Sequence, residues 1–324
     1  MRFLFNVHGY KPAYRVGGPI HSVAALAEGL VAAGHSVFVA TSNWDGTTTL
    51  DVDPEKVYDR DGVQVRYFSG RRTWLQRTKV PYFSKSSFFK FDPCFRCWLA
   101  EQGRNFDVFH THITYLSSTP SFSRAAVEMG KVYLFHQRGN LDPVRLRYRG
   151  LKKRCYVKFV EVPAMRRADV LVALTDYEVS TYRALGLSNR VVVLPNGVDS
   201  DRTSQQNADC NAALSKFVSS LEDTPLFLFM GRLHPIKGVD LFVQAFVQFA
   251  LACKCGVGVV AGPDDSGLAD VLQGVIRAAG LDNRFWCGRS RANPRGRRPC
   301  SSSQRLARPR SGGLWQCAPT HERH

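Results

Sequence analysis

Two strand-to-helix turns carry the residue types that anion chemistry requires. The first reads Gly9-Tyr10-Lys11-Pro12-Ala13-Tyr14-Arg15-Val16-Gly17-Gly18-Pro19-Ile20. Glycines at the mouth of a helix let backbone N–H groups approach a ligand closely, and proline suits the first helical position. The positive end of the helix dipole favours an anion there. A plain turn explains Gly17 and Gly18 equally well, and with no G-x-G-x-x-G pattern, nicotinamide or flavin binding gains no support. The second turn, Gly231-Arg232-Leu233-His234-Pro235-Ile236-Lys237-Gly238, sets two cations in a loop leaving a strand. A guanidinium, an ammonium and a helix N-terminus converging there suit a diphosphate. Two solvated loop cations are the plainer alternative, weakened because a phosphate-friendly loop opens both halves of the chain. His110 and His112 flank one expected strand end and His136 closes the next, each either facing a ligand or capping its strand. Asp264-Asp265 reads as a loop turn, and Cys94-Phe95-Arg96-Cys97 has no second pair at zinc spacing, so no metal is expected.

The elements that hold these turns alternate almost from the first residue. Short β-branched or aromatic runs predict strands over 3–7, 37–41, 63–68, 107–110, 132–135, 170–174 and 191–194. Ile20, Val23, Ala24, Ala27, Leu30 and Val31 recur at helical spacing. Strands with few polar positions, separated by amphipathic helices, indicate a parallel sheet covered on both faces. After Pro195-Asn196-Gly197-Val198-Asp199 a polar stretch, 200–224, reads as a linker carrying one helix. A second series follows: strand 226–230, helix 238–252, strand 257–261, helix 267–279 and strand 284–287. The expected architecture is therefore α/β, with a doubly wound domain over 1–199 and a shorter one over 225–288.

The chain has 324 residues and a formal charge of +17. Residues 289–324 hold nine Arg and one Glu, a net +8, which leaves +9 for the rest. With 44% hydrophobic residues the chain can bury a core, which excludes disorder throughout. Nine scattered cysteines in a chain of this size suit free thiols and a reducing compartment, and no apolar run is long enough for a signal peptide or a span. The expected location is cytoplasmic. Residues 71–104 interleave Arg71, Arg72, Arg77, Lys79, Lys85, Lys90 and Arg96 with eight aromatics. They read either as a surface for the inner face of an anionic membrane or as a loop tucking aromatics into the core.

Gly17-Gly18-Pro19, Pro195-Asn196-Gly197-Val198-Asp199, and Gly231-Arg232-Leu233 with Lys237-Gly238, in this order, resemble family 4 glycosyltransferases of the GT-B fold. Arg138-Gly139-Asn140-Leu141-Asp142-Pro143, Lys152-Lys153 and Arg166-Arg167-Ala168-Asp169 resemble a bacterial polysaccharide-type branch. The resemblance covers roughly 1–288. It implies two Rossmann-like domains facing a cleft, the second incomplete here. It also implies a nucleotide-sugar donor, a glycan or lipid-linked acceptor, and transfer with retention at the anomeric carbon without cofactor or bound metal. By position, Gly17 and Gly18 would line the donor diphosphate, and Arg232 and Lys237 would hold it as it departs. His136 or Arg138 would contact the donor sugar, depending on whether the strand or Gly139 anchors the comparison.

The family's second domain also supplies a spaced pair of glutamates, yet no acidic residue follows Arg289 before Glu322. Periodicity stops at Arg289, and 289–324 is expected to be a disordered basic tail. The switch to Arg, Pro, Ser and Gly suggests a reading-frame shift. That expectation carries poor stability and little transferase activity, and the coding DNA beyond codon 288 tests it. Two rival readings remain: a nucleic-acid binder motivated by the charge, with steeply salt-dependent binding, and a GT-B sugar-nucleotide epimerase.

Overall fold

The computed structural model describes residues 1–14, 17–45, 48–69, 71–72, 90–91, 93–143, 150–197, 224–264 and 267–289. The chain divides into two compact units, Met1–Val198 and Asp199–His324.

In the first unit, β1 (Arg2–Asn6) leads through α1 (Pro19–Ala32) to β2 (Ser36–Ser42), then to β3 (Val57–Arg60) and β4 (Val63–Phe68). A two-residue strand pair, β5 (Arg71–Arg72) with β6 (Lys90–Phe91), precedes α2 (Pro93–Gln102), β7 (Val108–His112), α3 (Thr119–Glu128) and β8 (Val132–His136). One helical segment then runs through α4 (Gly150–Tyr156), a π-helical turn (Val157–Glu161) and α5 (Val162–Arg166). The unit closes with β9 (Val170–Ala173), α6 (Asp176–Ala184) and β10 (Arg190–Val193).

Eight strands form one sheet in the order β10-β9-β8-β7-β1-β2-β4-β3. All neighbours are parallel except the edge pair β3–β4. Of this pair, β4 is the expected strand 63–68 and only β3 lies outside the expected set, although Asp61-Gly62 encodes the hairpin. Both residues sit at positive φ, 57° and 81°, as a two-residue hairpin turn demands. Alternation along the central strands feeds two cores. Phe5, Val37 and Val39 pack on one face with Val23, Ala24 and Ala27 of α1. Leu4, Phe38 and Ala40 pack on the other with Phe109, Phe122 and Phe135. Strands buried on both faces explain the near-continuous apolar runs. Each aromatic withdrawn from water contributes about 2–3 kcal/mol.

Within 71–104, Phe95 and Trp98 of α2 are buried and pack on Phe68 and Phe38. The described aromatics of α2 thus belong to the core, while most of the remainder, 73–89, lies outside the described residues.

The second unit has β11 (Leu226–Met230), α7 (Val239–Cys253), β12 (Val257–Gly262), α8 (Leu268–Ala278) and β13 (Phe285–Arg289). Its three strands are parallel in the order β11-β12-β13. Val239, Val243, Phe246 and Ala250 of α7 pack on Val260, and Leu272 and Ile276 of α8 join them. Arg289 ends a strand rather than beginning a tail. The expected linker helix within 200–223 and the tail from 290 lie outside the described residues.

Candidate functional site

Sheet order fixes where a ligand should sit in the first unit. From β1 the chain builds outward to β2 and β4 on one side, and β7 to β10 follow on the other. Open α/β sheets bind ligands at the carboxyl ends of the strands flanking such a reversal. Here those ends carry Asn6 of β1 and His112 of β7, with His136 of β8 one strand further.

Strand periodicity puts His110 and His112 on one face, and both rings meet Phe5, with centroids 5.2 and 4.4 Å away. Register then sets His136 beside His112. The three imidazoles are buried and close, with centroids 3.8 Å (His110–His112), 6.2 Å (His110–His136) and 6.0 Å (His112–His136) apart. Burial holds all three neutral, with the Arg138 charge adding to the effect. His110 falls to about 3, His136 to about 2, and His112 well below the ordinary histidine value.

Arg138 follows β8 with φ 51°, a left-handed backbone that Gly139, at φ 73°, continues. The carboxylate of Glu178 fixes this turn by accepting from the amides of Gly139 and Leu174. Gln137 braces it further, its amide donating to Tyr182 Oη at 3.1 Å and its Oε1 accepting from Leu141 N at 3.2 Å. The guanidinium is only 8% exposed. Its Nε donates to His112 Nδ1 at 3.3 Å, and its Nη1 to Ser22 Oγ at 2.7 Å and Asn196 Oδ1 at 3.0 Å. All three acceptors are neutral, and among the described residues no carboxylate lies within ion-pair distance of Arg138. Desolvation lowers Arg138 to about 10, still charged at neutral pH.

This arrangement also decides the tautomer of His112. Because Nδ1 accepts from Arg138, the ring proton of neutral His112 stands on Nε2, making that atom a donor. Ligand nitrogens of His110, His112 and His136 lie within 4.8 Å of one another and could serve a metal. The fixed guanidinium beside them and the donor at His112 Nε2 suit an oxygen-rich substrate better. Buried polar atoms with no hydrogen-bond partner cluster here: Asn6 Nδ2, His110 Nε2, His112 Nε2 and both nitrogens of His136. Buried polar groups are normally satisfied, so this concentration marks a place for water or a ligand.

The loop after His112 is held from below. Ile113 and Tyr115 both have positive φ, 74° and 68°, a strained conformation for a β-branched and an aromatic residue. The π-helical turn swings Glu161 inward to accept from the Tyr115 amide at 2.5 Å, and Tyr156 Oη donates to the Leu116 carbonyl at 3.3 Å. Glu161 is fully buried, and burial pushes its carboxyl up to about 8.

Gly17 and Gly18 form the mouth of α1. Gly17 sits at φ 117°, which favours glycine. Gly18 is the N-cap at an ordinary helical φ of −52°, with no side-chain cap and Pro19 next. A Cβ at Gly18 would have nothing within 4 Å. Neither conformation nor packing asks for glycine there. In the second unit, the loop 231–238 is shaped by backbone bonds, Gly231 N to Ala261 O and Leu233 N to Pro263 O at 2.9 Å, and by a short helical turn, Pro235–Lys237. Arg232 and Lys237 are both exposed, and Gly238 at φ 70° starts α7. Asp264 is used structurally, its two oxygens accepting from Leu268 N and Ala269 N at 3.0 Å. Asp265 lies outside the described residues.

Of the expected residues, His136 and Arg138 belong to one cluster with His110 and His112. Ser22, Asn196, Glu161 and Glu178 complete or support it and were not singled out from sequence. Asn196 stood within a quoted motif and Ser22 one turn beyond Pro19, but their meeting at Arg138 spans 174 positions and has no local signal.

Comparison with known proteins agrees with this geometry. A D-inositol 3-phosphate glycosyltransferase of Nocardioides sp. is 28% identical over 282 residues, covering 82% of this chain and 58% of that protein. The chain therefore spans less than two thirds of that relative. A 2-deoxystreptamine glucosyltransferase of Streptomyces kanamyceticus is 34% identical over 131 residues, 40% of this chain and 33% of its own. Two solved structures share the fold. Starch synthase IV of Arabidopsis thaliana bound to ADP and acarbose has a TM-score of 0.62 at 15% identity, covering 90% of this chain and 74% of its own. The Anabaena protein HepE in complex with UDP has a TM-score of 0.59 at 15% identity, covering 90% and 70%. The α/β architecture is thus of the GT-B type. Residues 17–197, more than half of the chain and the stretch that contains Gly18, the histidine cluster and Arg138, match the glycosyl transferase 4-like domain, and the chain belongs to that family.

Proposed function

We propose that this chain is a retaining glycosyltransferase that moves a sugar from a nucleotide-sugar donor to a hydroxyl of a glycan or lipid-linked acceptor. The observation that carries the reading is Arg138: a buried, charged guanidinium at the carboxyl end of the sheet whose partners are all neutral. Burying a charge costs several kcal/mol unless an opposite charge meets it. A substrate oxyanion is the counter-charge such a site accepts, and a bidentate guanidinium suits phosphate. The N-terminus of α1, which has no side-chain cap, offers a second positive end through the helix dipole, and the bare Gly18 leaves room for close approach.

In the transfer step, the bond between the anomeric carbon and the diphosphate oxygen breaks, and that oxygen keeps the electron pair. The acceptor oxygen bonds to the same carbon from the same face, and its proton leaves to the basic phosphate oxygen that the step creates. Arg138 would stabilise the charge that grows on the leaving group, the role that the family resemblance also gives Arg232 and Lys237. The neutral imidazoles hold or accept hydrogen bonds from sugar hydroxyls and donate no proton at neutral pH. His112 instead donates a hydrogen bond through its Nε2–H to a substrate oxygen. Neither step calls for a metal or cofactor.

The test uses the full chain with UDP-, ADP- and GDP-sugars, measuring nucleotide binding by calorimetry and sugar transfer by product analysis. Removing one charge that stabilises a developing oxyanion lowers turnover by about 10²- to 10³-fold. Arg138→Gln should show that loss while its unfolding curve stays near wild type. Gly18→Ala should weaken nucleotide binding by about tenfold with the fold intact, since only a ligand would meet the added methyl group. Unchanged binding in Gly18→Ala, or unchanged turnover in Arg138→Gln, would overturn the assignment. An altered sugar nucleotide formed without acceptor would identify an epimerase instead.

A further inference from the structure

The helical segment 150–166 has two faces of different kind. Its inner face, with Val157, Glu161, Val162, Ala164 and Met165 buried, backs the loop that follows His112. Its outer face leaves Leu151 78% and Phe159 69% exposed, unusually bare for large apolar side chains. Arg154, Lys158 and Arg166 are exposed around them, and Lys158 Nζ stands 5.7 Å from the centre of the Phe159 ring. Beside this face a groove of about 450 Å³ runs between the segment and the end of α6, lined by Arg154, Lys158, Phe159, Val162, Arg166 and Leu185. The groove lining contains no acidic residue. The only acid from Gly150 to Ala168 is Glu161, which points inward, and the sequence adds Lys152 and Lys153 to the same stretch.

The donor site uses none of these residues. Their chemistry is that of an interfacial helix: apolar side chains that enter the boundary of headgroups and acyl chains, flanked by cations at the level of the lipid phosphates. Each Lys or Arg near an anionic bilayer adds to the attraction. A nucleic acid would match the cations and leave the bare Phe159 and Leu151 unexplained, whereas an anionic lipid surface matches both.

We propose that the outer face of residues 151–166 docks this unit on an anionic lipid surface, with Phe159 and Leu151 inserted and Arg154, Lys158 and Arg166 at the phosphates. This places a membrane contact on the segment that grips the loop beside His112, separate from 71–104, where the sequence leaves open a membrane surface or a core-packed loop and most residues lie outside the described ones. It deepens the reading of a lipid-linked acceptor, because docking would bring the carboxyl end of the sheet toward the layer where such an acceptor resides.

Co-sedimentation of the full chain with phosphatidylcholine vesicles, with and without phosphatidylglycerol, tests the proposal. Binding should require phosphatidylglycerol and fall as salt rises. Arg154→Glu with Lys158→Glu should weaken it at least tenfold, and Phe159→Ser with Leu151→Ser should weaken it independently of charge. All four positions are exposed, so thermal unfolding should be unchanged. Nucleotide binding should also be unchanged in both double variants. A wild-type chain that binds no nucleotide while still binding vesicles with phosphatidylglycerol would count against the transferase site alone. Equal binding to vesicles without phosphatidylglycerol, or wild-type binding by either double variant, would overturn the docking surface. So would a chain that ignores vesicles and binds DNA through the same cations.

Discussion

Replacing Glu161 by Gln keeps an acceptor for the Tyr115 amide and removes a titrating group from beneath the loop that follows His112. The wild-type carboxyl is raised from 4.5 to about 8 by burial, so the folded chain holds a proton that the unfolded chain gives up readily. A carboxyl raised in this way contributes stability that is complete below its unfolded value and is lost as pH rises through the folded one. Histidine titration hides part of that window. His110, His112 and His136 stay neutral when folded and bind protons when unfolded, so they add stability as pH rises through 6.5, an effect spent by about pH 7.5. Their contribution is the same with Glu161 or Gln at 161, so the difference between the two chains isolates Glu161 between pH 6.5 and 8. At about 1.4 kcal/mol per pH unit this gives a loss of roughly 2 kcal/mol. Hydrogen exchange of peptides covering residues 108–116, measured along a urea series at pH 6.5, 7.25 and 8, reads the opening free energy of this loop. Wild type should lose about 2 kcal/mol over that range relative to Glu161→Gln, whose values should rise by about 1 kcal/mol as the unfolded histidines lose their protons. Parallel pH profiles in the two chains would refute the buried, protonated carboxyl.

Two further outcomes follow from the same geometry. A Cβ at Gly262 would stand 1.8 Å from the carbonyl oxygen of Gly231, a backbone atom that no rotamer can move away. Gly262→Ala should therefore destabilise the second unit by about 3 kcal/mol, seen as earlier urea exchange of amides in 224–289. Below pH 6.5 the neutral histidines withhold protons from the folded state, and stability should fall by up to about 1.4 kcal/mol per pH unit for each. A His110→Asn chain should show a shallower acid slope by denaturant unfolding, and an unchanged slope would show that His110 is not held neutral.

Much of the fold was legible because its strands are buried on both faces, so runs such as Phe3-Leu4-Phe5 and Val37-Phe38-Val39 announce themselves without help from neighbours. The edge strand β3 escaped for the opposite reason. Val57–Arg60 alternates exposed and half-buried positions and carries two charges, and only the Asp61-Gly62 turn signals it. The short helix α2 was masked by the basic residues around it, although Phe95, Trp98 and Leu99 at three- and four-residue spacing face the core. In the second unit, strand and helix limits agreed with the expected ones within two residues, because glycines at positive φ, Gly238 and Gly267, punctuate both helices.

The site was legible as residue types and opaque as an assembly. Spacing alone places His110 and His112 on one face, but His136 joins them only because β7 pairs with β8 in the register His112 to His136. A shift of one residue would turn His136 to the opposite face and separate the rings. Arg138 takes its meaning from how Glu178 of α6 is used: that carboxylate reaches Arg138 only through its field, without a hydrogen bond, and spends both oxygens on the amides of Gly139 and Leu174. The fold uses the acid to hold the turn and gives the cation hydrogen bonds to neutral partners only. Gly18 argues the same way from the other side, since a residue that neither φ nor packing requires is best explained by what must come close to it.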